Sequence, residues 1–75
     1  MTKLNDFVKE KRKAANLTQE AFAERAGVAL TVVRKIEQGK ESLQLEKVNQ
    51  VLRMFGHELA PVSMHELAAA KTKEP

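Results

Sequence analysis

The sequence contains no cysteine, tryptophan or tyrosine, and its three phenylalanines are its only aromatic residues. Without cysteine the chain can form neither a disulfide nor a zinc site with thiolate ligands, which suits a reducing compartment. No apolar run approaches the ~20 residues that a membrane-spanning helix needs. The N-terminal stretch MTKLNDFVKEKRK also lacks the apolar segment of a secretion signal. We therefore expect a cytoplasmic protein with a mainly aliphatic core.

The composition is typical of one small soluble domain, with 43% apolar and 31% charged residues in a chain of 75. A chain of this size buries only about 60% of the surface that its unfolded form exposes, so dimerisation would add stability. Residues 1–40 contain nine Lys and Arg against five Asp and Glu, whereas residues 41–75 contain four against five. A basic first half favours a polyanionic partner, although solvated surfaces also show excesses of this size.

Apolar residues recur at helical spacing in four stretches, which predicts an all-α fold. The predicted helices cover Thr2 to Asn16, the residues between Thr18 and Gly27, Leu30 to Gln38, and Leu45 to Gly56. Residues 57–62, HELAPV, are either a short edge strand or coil, because Pro61 excludes helix there. We expect a weak extra helix over Met64 to Ala70 and fraying of the terminal KTKEP.

In the segment VALTVV, residues 28–33, local propensity and burial favour different secondary structures. Its β-branched residues favour a strand, but Val33 and Ile36 are three apart, and Arg34 and Lys35 break a two-residue alternation. A β-branched residue costs only tenths of a kcal/mol in a helix, whereas burying Val33 or Ile36 contributes about 1.5–3 kcal/mol. We therefore predict a helix.

Seven positions around this segment carry the residue types of a helix-turn-helix. Ala23 is small where two helices cross closely, and Gly27 supplies the positive φ that lets the chain leave the second helix sharply. The other five face the core: Phe22, Ala26, Val28, Val33 and Ile36. The plainer alternative is a helical hairpin in a generic bundle that binds no ligand.

The opposite face of the third helix is polar. A helical wheel with Val33 and Ile36 inside turns four polar side chains outward. They are Thr31, Arg34, Lys35 and Gln38. Their hydroxyl, guanidinium, ammonium and amide groups can donate to base edges and phosphates in a major groove.

The stretch LTQEAFAERAGVALTVVRKIEQG, residues 17–39, resembles the helix-turn-helix of phage-repressor and Cro-type bacterial regulators. The continuation GKESLQLEKVNQVLRMFGHELAPV resembles antitoxins of the HipB type, which partner HipA-like kinases. The resemblance implies a compact lambda-repressor-like domain of four to five helices, with a short C-terminal strand completing a homodimer. Residues 1–62 would form this DNA-binding and dimerisation domain, and residues 63–75 a flexible tail.

The resemblance also implies roles for individual residues. Gln19 would contact a phosphate and brace the reading helix, while Thr31 and Lys35 would meet base edges. The expected DNA-binding residues are Thr18, Gln19, Leu30, Thr31, Arg34, Lys35, Gln38 and Lys40. Arg12 and Glu37 would form a structural ion pair. The expected dimerisation residues are Phe55, Leu59 and Val62.

Two positions depart from the family pattern. Ala29 stands where the family usually has Ser or Thr as the N-cap of the reading helix, and the missing cap should cost on the order of 1 kcal/mol. Leu30 stands where a polar base-reading residue is common. It would press on a thymine methyl or pack inside without a base contact.

Other side chains indicate neither metal binding nor catalysis. His57 and His65 each begin the letters HELA, but a zinc-protease motif needs a histidine where Pro61 stands. No glycine-rich phosphate loop is present, and no histidine and carboxylate are placed to activate Ser42 or Ser63. We expect no metal, no cofactor and no enzymatic activity.

These observations predict a homodimeric repressor that binds a palindromic operator in double-stranded DNA. By the resemblance it would also be the antitoxin of a toxin–antitoxin pair, autoregulating its operon and binding a HipA-like kinase. The alternatives are a free-standing phage-repressor-type regulator and a helical adaptor that binds protein through the Thr31–Gln38 face. Salt-dependent duplex binding distinguishes a DNA-binding protein from an adaptor.

Overall fold

Four α-helices form the domain in the computed structural model, which describes residues 3–66. They are α1 (Leu4–Ala14), α2 (Gln19–Ala26), α3 (Leu30–Glu37) and α4 (Leu45–Leu52), and a 3-10 turn at Arg53–Phe55 follows α4. Residues 3–66 contain no strand. Over the same range no helix has the length and apolar character needed to cross a membrane.

The core is built from apolar side chains of all four helices. Its buried members are Val8, Phe22, Ala23, Ala26, Val33, Ile36, Val48, Val51 and Leu52. Val33 and Ile36 are 0% and 1% exposed, so burial outweighs strand propensity in VALTVV, as predicted. The ring of Phe22 stacks on that of Phe55 at a centroid distance of 5.6 Å, which extends the core to the 3-10 turn.

The α2–α3 connection has the geometry of a helix-turn-helix. Thr18 caps α2, its hydroxyl oxygen accepting a hydrogen bond from the amide of Ala21 at 3.1 Å. Gly27 has φ 73° and ends α2, while the amide of Val28 reaches back to the carbonyl of Ala23 at 3.0 Å. Only residues 27–29 separate α2 from α3. This short connection fixes the orientation of α3 against α2.

The helix bounds differ from the predicted ones at four ends. α1 begins at Leu4, after its N-cap Lys3, rather than at Thr2. At its other end the prediction was two residues too long, because Asn16 takes φ 58° and the Leu17 amide bonds to the Arg12 carbonyl at 3.2 Å. α3 ends at Glu37, and Gln38 only caps it. The predicted fourth helix ends as a tighter 3-10 turn before Gly56.

Residues 57–62 form coil, one of the two predicted alternatives, rather than an edge strand. The amide of Leu59 donates to Asn49 Oδ1 of α4 at 2.6 Å, which ties this segment to the domain through a side chain instead of a strand ladder. Helical backbone begins at residues 64–66. The remainder of the predicted extra helix and the terminal KTKEP lie outside the described residues. The domain as a whole has the compact lambda-repressor-like fold.

A stabilising substitution follows from the cap of α3. Ala29 is exposed and extended, with φ −67° and ψ 149°, and its side chain makes no capping hydrogen bond. Ala29→Ser should raise the free energy of unfolding by about 1 kcal/mol, because a serine oxygen can accept from an unpaired amide of the first turn. Urea unfolding measures the gain. The matched control is Thr18→Ala, which removes an existing cap and should cost about as much; equal stability of Ala29→Ser and wild type would contradict the prediction.

Candidate nucleic-acid interface

The polar face of α3 is open to solvent. Its exposed side chains are Thr31, Arg34, Lys35 and Gln38, and exposed Lys40 follows the helix. Burial of Val33 and Ile36 on the other side fixes which way this face points. The structure therefore places these five predicted DNA-binding residues on an accessible surface with donors for bases and phosphates.

The only acidic residue between Gly27 and Lys40 is Glu37, and it is buried. Its side chain is 3% exposed, and that of Arg12 on α1 is 13% exposed. Arg12 donates from Nε to Oε2 at 2.7 Å and from Nη2 to Oε1 at 3.0 Å, which makes the pair bidentate. Arg12 Nη1 also donates to the Leu17 carbonyl at 2.8 Å. The pair locks α3 onto α1 and leaves only positive charge on the exposed side of α3.

Gln19 joins the same network from the first position of α2. Its Nε2 donates to Glu37 Oε1 at 3.2 Å, so that three helices meet at one carboxylate. Gln19 is half-buried and braces α3 through Glu37, which agrees with the bracing role that the family resemblance implied. Its phosphate contact stays a prediction.

The surroundings of Glu37 determine its protonation. Burial alone would raise the pKa of Glu37, but hydrogen bonds from Arg12 and Gln19, with the charges of Arg12 and Lys9, bring the pKa below its ordinary value. The hydrogen bonds to Glu37 in turn raise the pKa of Arg12. The carboxylate therefore stays ionised inside the domain.

Besides Gln19, two more of the expected DNA-binding residues also serve the fold. Thr18 uses its hydroxyl as the cap of α2. Leu30 is half-buried and packs against the core, which favours the inward alternative for this residue over a thymine contact. Thr18 is nevertheless exposed, and its hydroxyl keeps a proton that can be donated to a phosphate, whereas Leu30 is less accessible than the exposed set on α3.

Sequence reasoning missed two residues of α4. Gln50 Nε2 donates to the carbonyls of Ala26 and Gly27 at 2.9 Å each, and so holds the turn of the helix-turn-helix. Lys47 and Lys35 line one depression of about 520 Å³ between α3 and α4, which extends positive charge from α3 onto α4. Gln50 and Lys47 were missed because the regular apolar spacing of α4 predicts which of its residues face the core and says nothing about its polar residues.

Comparison with known proteins agrees with this geometry. Residues 8–60 match the family HTH_3, described as helix-turn-helix. The chain belongs to the Cro/C1-type helix-turn-helix family of DNA-binding transcription regulators. A protein of Methanothermobacter thermautotrophicus strain Delta H, described as an uncharacterized HTH-type transcriptional regulator, is 34% identical over 55 residues. The match covers 73% of this chain and 80% of that relative.

The lowered pKa of Glu37 predicts a pH dependence of stability. In the unfolded chain Glu37 has its ordinary pKa of 4.5, so the stabilisation by its ionised form is complete above that pH. It is lost as the pH falls through the lower pKa of the folded state. The free energy of unfolding should therefore drop below about pH 4.5, and Glu37→Gln should flatten this slope while lowering stability at pH 7.

Urea titrations between pH 2.5 and 7 check this dependence. Glu24→Gln, the same exchange at an exposed position of α2, is the control and should keep the wild-type slope. An unchanged slope in Glu37→Gln would show that other groups govern the acid transition.

Proposed function

We propose that this helix-turn-helix protein is a dimeric, sequence-specific transcriptional repressor that acts in the cytoplasm by binding alone, without catalysis. The observation that carries the proposal is the surface of α3, where donors and positive charges are exposed and the one acid is buried against Arg12. Phosphates repel exposed carboxylates and attract Lys and Arg, so such a surface suits close approach to a duplex. Thr31 and Lys35 would meet base edges, and Arg34, Gln38 and Lys40 the backbone.

A dimer would supply the contacts that one short helix lacks. Two reading helices related by a two-fold axis lie in successive major grooves about 34 Å apart, which requires a palindromic operator. An apolar groove of about 500 Å³ next to the C-terminal coil offers a surface for the second protomer. Its lining residues are Leu4, Phe7, Leu52, His57, Glu58, Leu59, Ala60 and Val62. Val62 is 43% exposed, whereas the ring of Phe55 stacks on that of Phe22 inside the same protomer.

Duplex binding at graded salt tests the proposal against the helical-adaptor alternative. A protein that contacts several phosphates loses affinity as a power of the salt concentration, and Lys40→Ala should reduce that slope by about one unit for each protomer bound. Sedimentation of the free protein, with Val62→Asp as the variant, tests the dimer. Absence of duplex binding at low salt would favour the adaptor and contradict the repressor.

The finer proposal is that the repressor is the antitoxin of a HipA-like kinase and represses its own operon. Its support is the resemblance of residues 39–62 to HipB-type antitoxins. Co-expression with the products of the neighbouring genes, followed by affinity purification, is the test. Recovery of a kinase-like protein at a fixed ratio would support the antitoxin, whereas an operon without such a protein leaves the free-standing regulator.

A further inference from the structure

Gln50 connects α4 to the turn between α2 and α3. Its side-chain nitrogen lies 2.9 Å from the Ala26 carbonyl oxygen and 2.9 Å from that of Gly27. These two carbonyls are 24 and 23 residues away in sequence, at the point where the chain leaves α2. One side chain of α4 thus bonds to the two carbonyls at the end of α2.

Without Gln50, the carbonyls of Ala26 and Gly27 would lack these hydrogen-bond donors. The last carbonyls of a helix have no amide partner within it. In α2 the left-handed cap pairs the carbonyls of Ala23 and Glu24 with the amides of Val28 and Gly27. Gln50 donates hydrogen bonds to the carbonyls of Ala26 and Gly27. An amide group suits this role because its nitrogen carries two protons and no charge.

Gly27 is matched to Gln50 as well as to its own backbone angle. A Cβ atom on Gly27 would lie 3.0 Å from Gln50 Nε2, closer than side-chain carbons ordinarily approach. A larger residue at position 27 would therefore face two penalties, one from φ 73° and one from the displaced amide.

We infer that Gln50 is a positioning residue that sets the orientation of α3 for DNA recognition by fixing the turn that precedes it. This inference rests on the proposed DNA-binding function. Gln50 does not itself contact DNA in this account; it acts through Ala26 and Gly27. A small rotation of α3 would displace its base-reading side chains while phosphate attraction persists, so sequence discrimination is the sensitive quantity.

Two variants at position 50 test the inference. Gln50→Met keeps the length without donors, and Gln50→Glu keeps the shape but places an acceptor against two carbonyl oxygens. The measurement is the ratio of operator affinity to random-duplex affinity, well below the melting temperature of each variant. We expect the ratio to fall about tenfold in Gln50→Met, the equivalent of ~1.4 kcal/mol, and further in Gln50→Glu. A folded Gln50→Met with the wild-type ratio would overturn the inference.

Amide hydrogen exchange gives a second readout that does not depend on DNA. Gln50→Met should speed exchange at Val28 and in the first turn of α3 more than in α1. Asn49→Met is the matched control, because it removes the neighbouring amide of α4, whose partner is Leu59, and should speed exchange there instead. A uniform acceleration across the domain would reduce Gln50 to a contributor to global stability. Failure of the wild type to bind any duplex would refute the proposed function, while the exchange pattern would still decide whether Gln50 fixes the turn.

Discussion

Arg12→Ala is expected to lower the free energy of unfolding by about 3–5 kcal/mol, the usual cost of removing one partner of a buried ion pair. The substitution leaves the Glu37 carboxylate, with its side chain 3% exposed, without its bidentate partner. The Leu17 carbonyl also loses a donor. Small domains are stable by about 5–15 kcal/mol, so this one change would remove a large share of the stability. Urea unfolding at pH 7, followed by circular dichroism, measures the loss.

Lys13→Ala is the matched control for this prediction. It removes a positive charge from an exposed position of the same helix and should change stability by less than about 0.5 kcal/mol. The double variant Arg12→Met with Glu37→Met should recover most of the loss, because it removes both buried charges together. If the free energy of unfolding of Arg12→Ala lay within about 1 kcal/mol of the wild-type value, the pair would not hold α3 onto α1 as described.

Lys35→Glu should weaken operator binding by about 100-fold or more without unfolding the protein. Lys35 is exposed in the middle of the polar face of α3, where no acidic side chain is exposed. The exchange removes a base or phosphate contact and places a carboxylate against the duplex, once in each protomer. Competition binding to operator and random duplexes, with urea unfolding in parallel, measures both effects.

Arg25→Glu is the control for the change in net charge. It makes the same exchange at an exposed position in the last turn of α2, outside the face that carries Thr31 and Lys35. We expect it to lose several-fold in affinity at low salt and little near physiological salt, where screening acts within about 8 Å. Equal losses in the two variants would mean that overall charge, rather than the face of α3, governs DNA binding.

Apolar spacing and cap residues sufficed to predict the helices and the core. Val33 and Ile36 are buried as their three-residue spacing required. Thr18 caps the start of α2 through its hydroxyl, and Gly27 ends the helix because glycine readily takes a positive φ. The Arg12–Glu37 pair was predicted only through the family resemblance, because the two residues are 25 apart in sequence and no local pattern links them.

The remaining features depend on how the helices pack. Asn16 is an exception with a local cause: asparagine tolerates the positive φ that ends α1, and the apolar spacing alone carried the prediction through it. Gln50 was missed because its bonds to Ala26 and Gly27 exist only once α4 crosses the turn. The C-terminal coil is tied to Asn49 through Leu59, a side-chain contact that strand propensity does not reveal.

Selection of duplexes from a random pool tests the central claim most directly, namely that α3 presents a positively charged reading surface to the major groove as one half of a symmetric pair. We expect enrichment of a palindrome whose half-sites are centred about 10 base pairs apart, and we expect Lys35→Glu to lose this enrichment. Recovery of no preferred sequence, or of one that Lys35→Glu selects equally well, would contradict it.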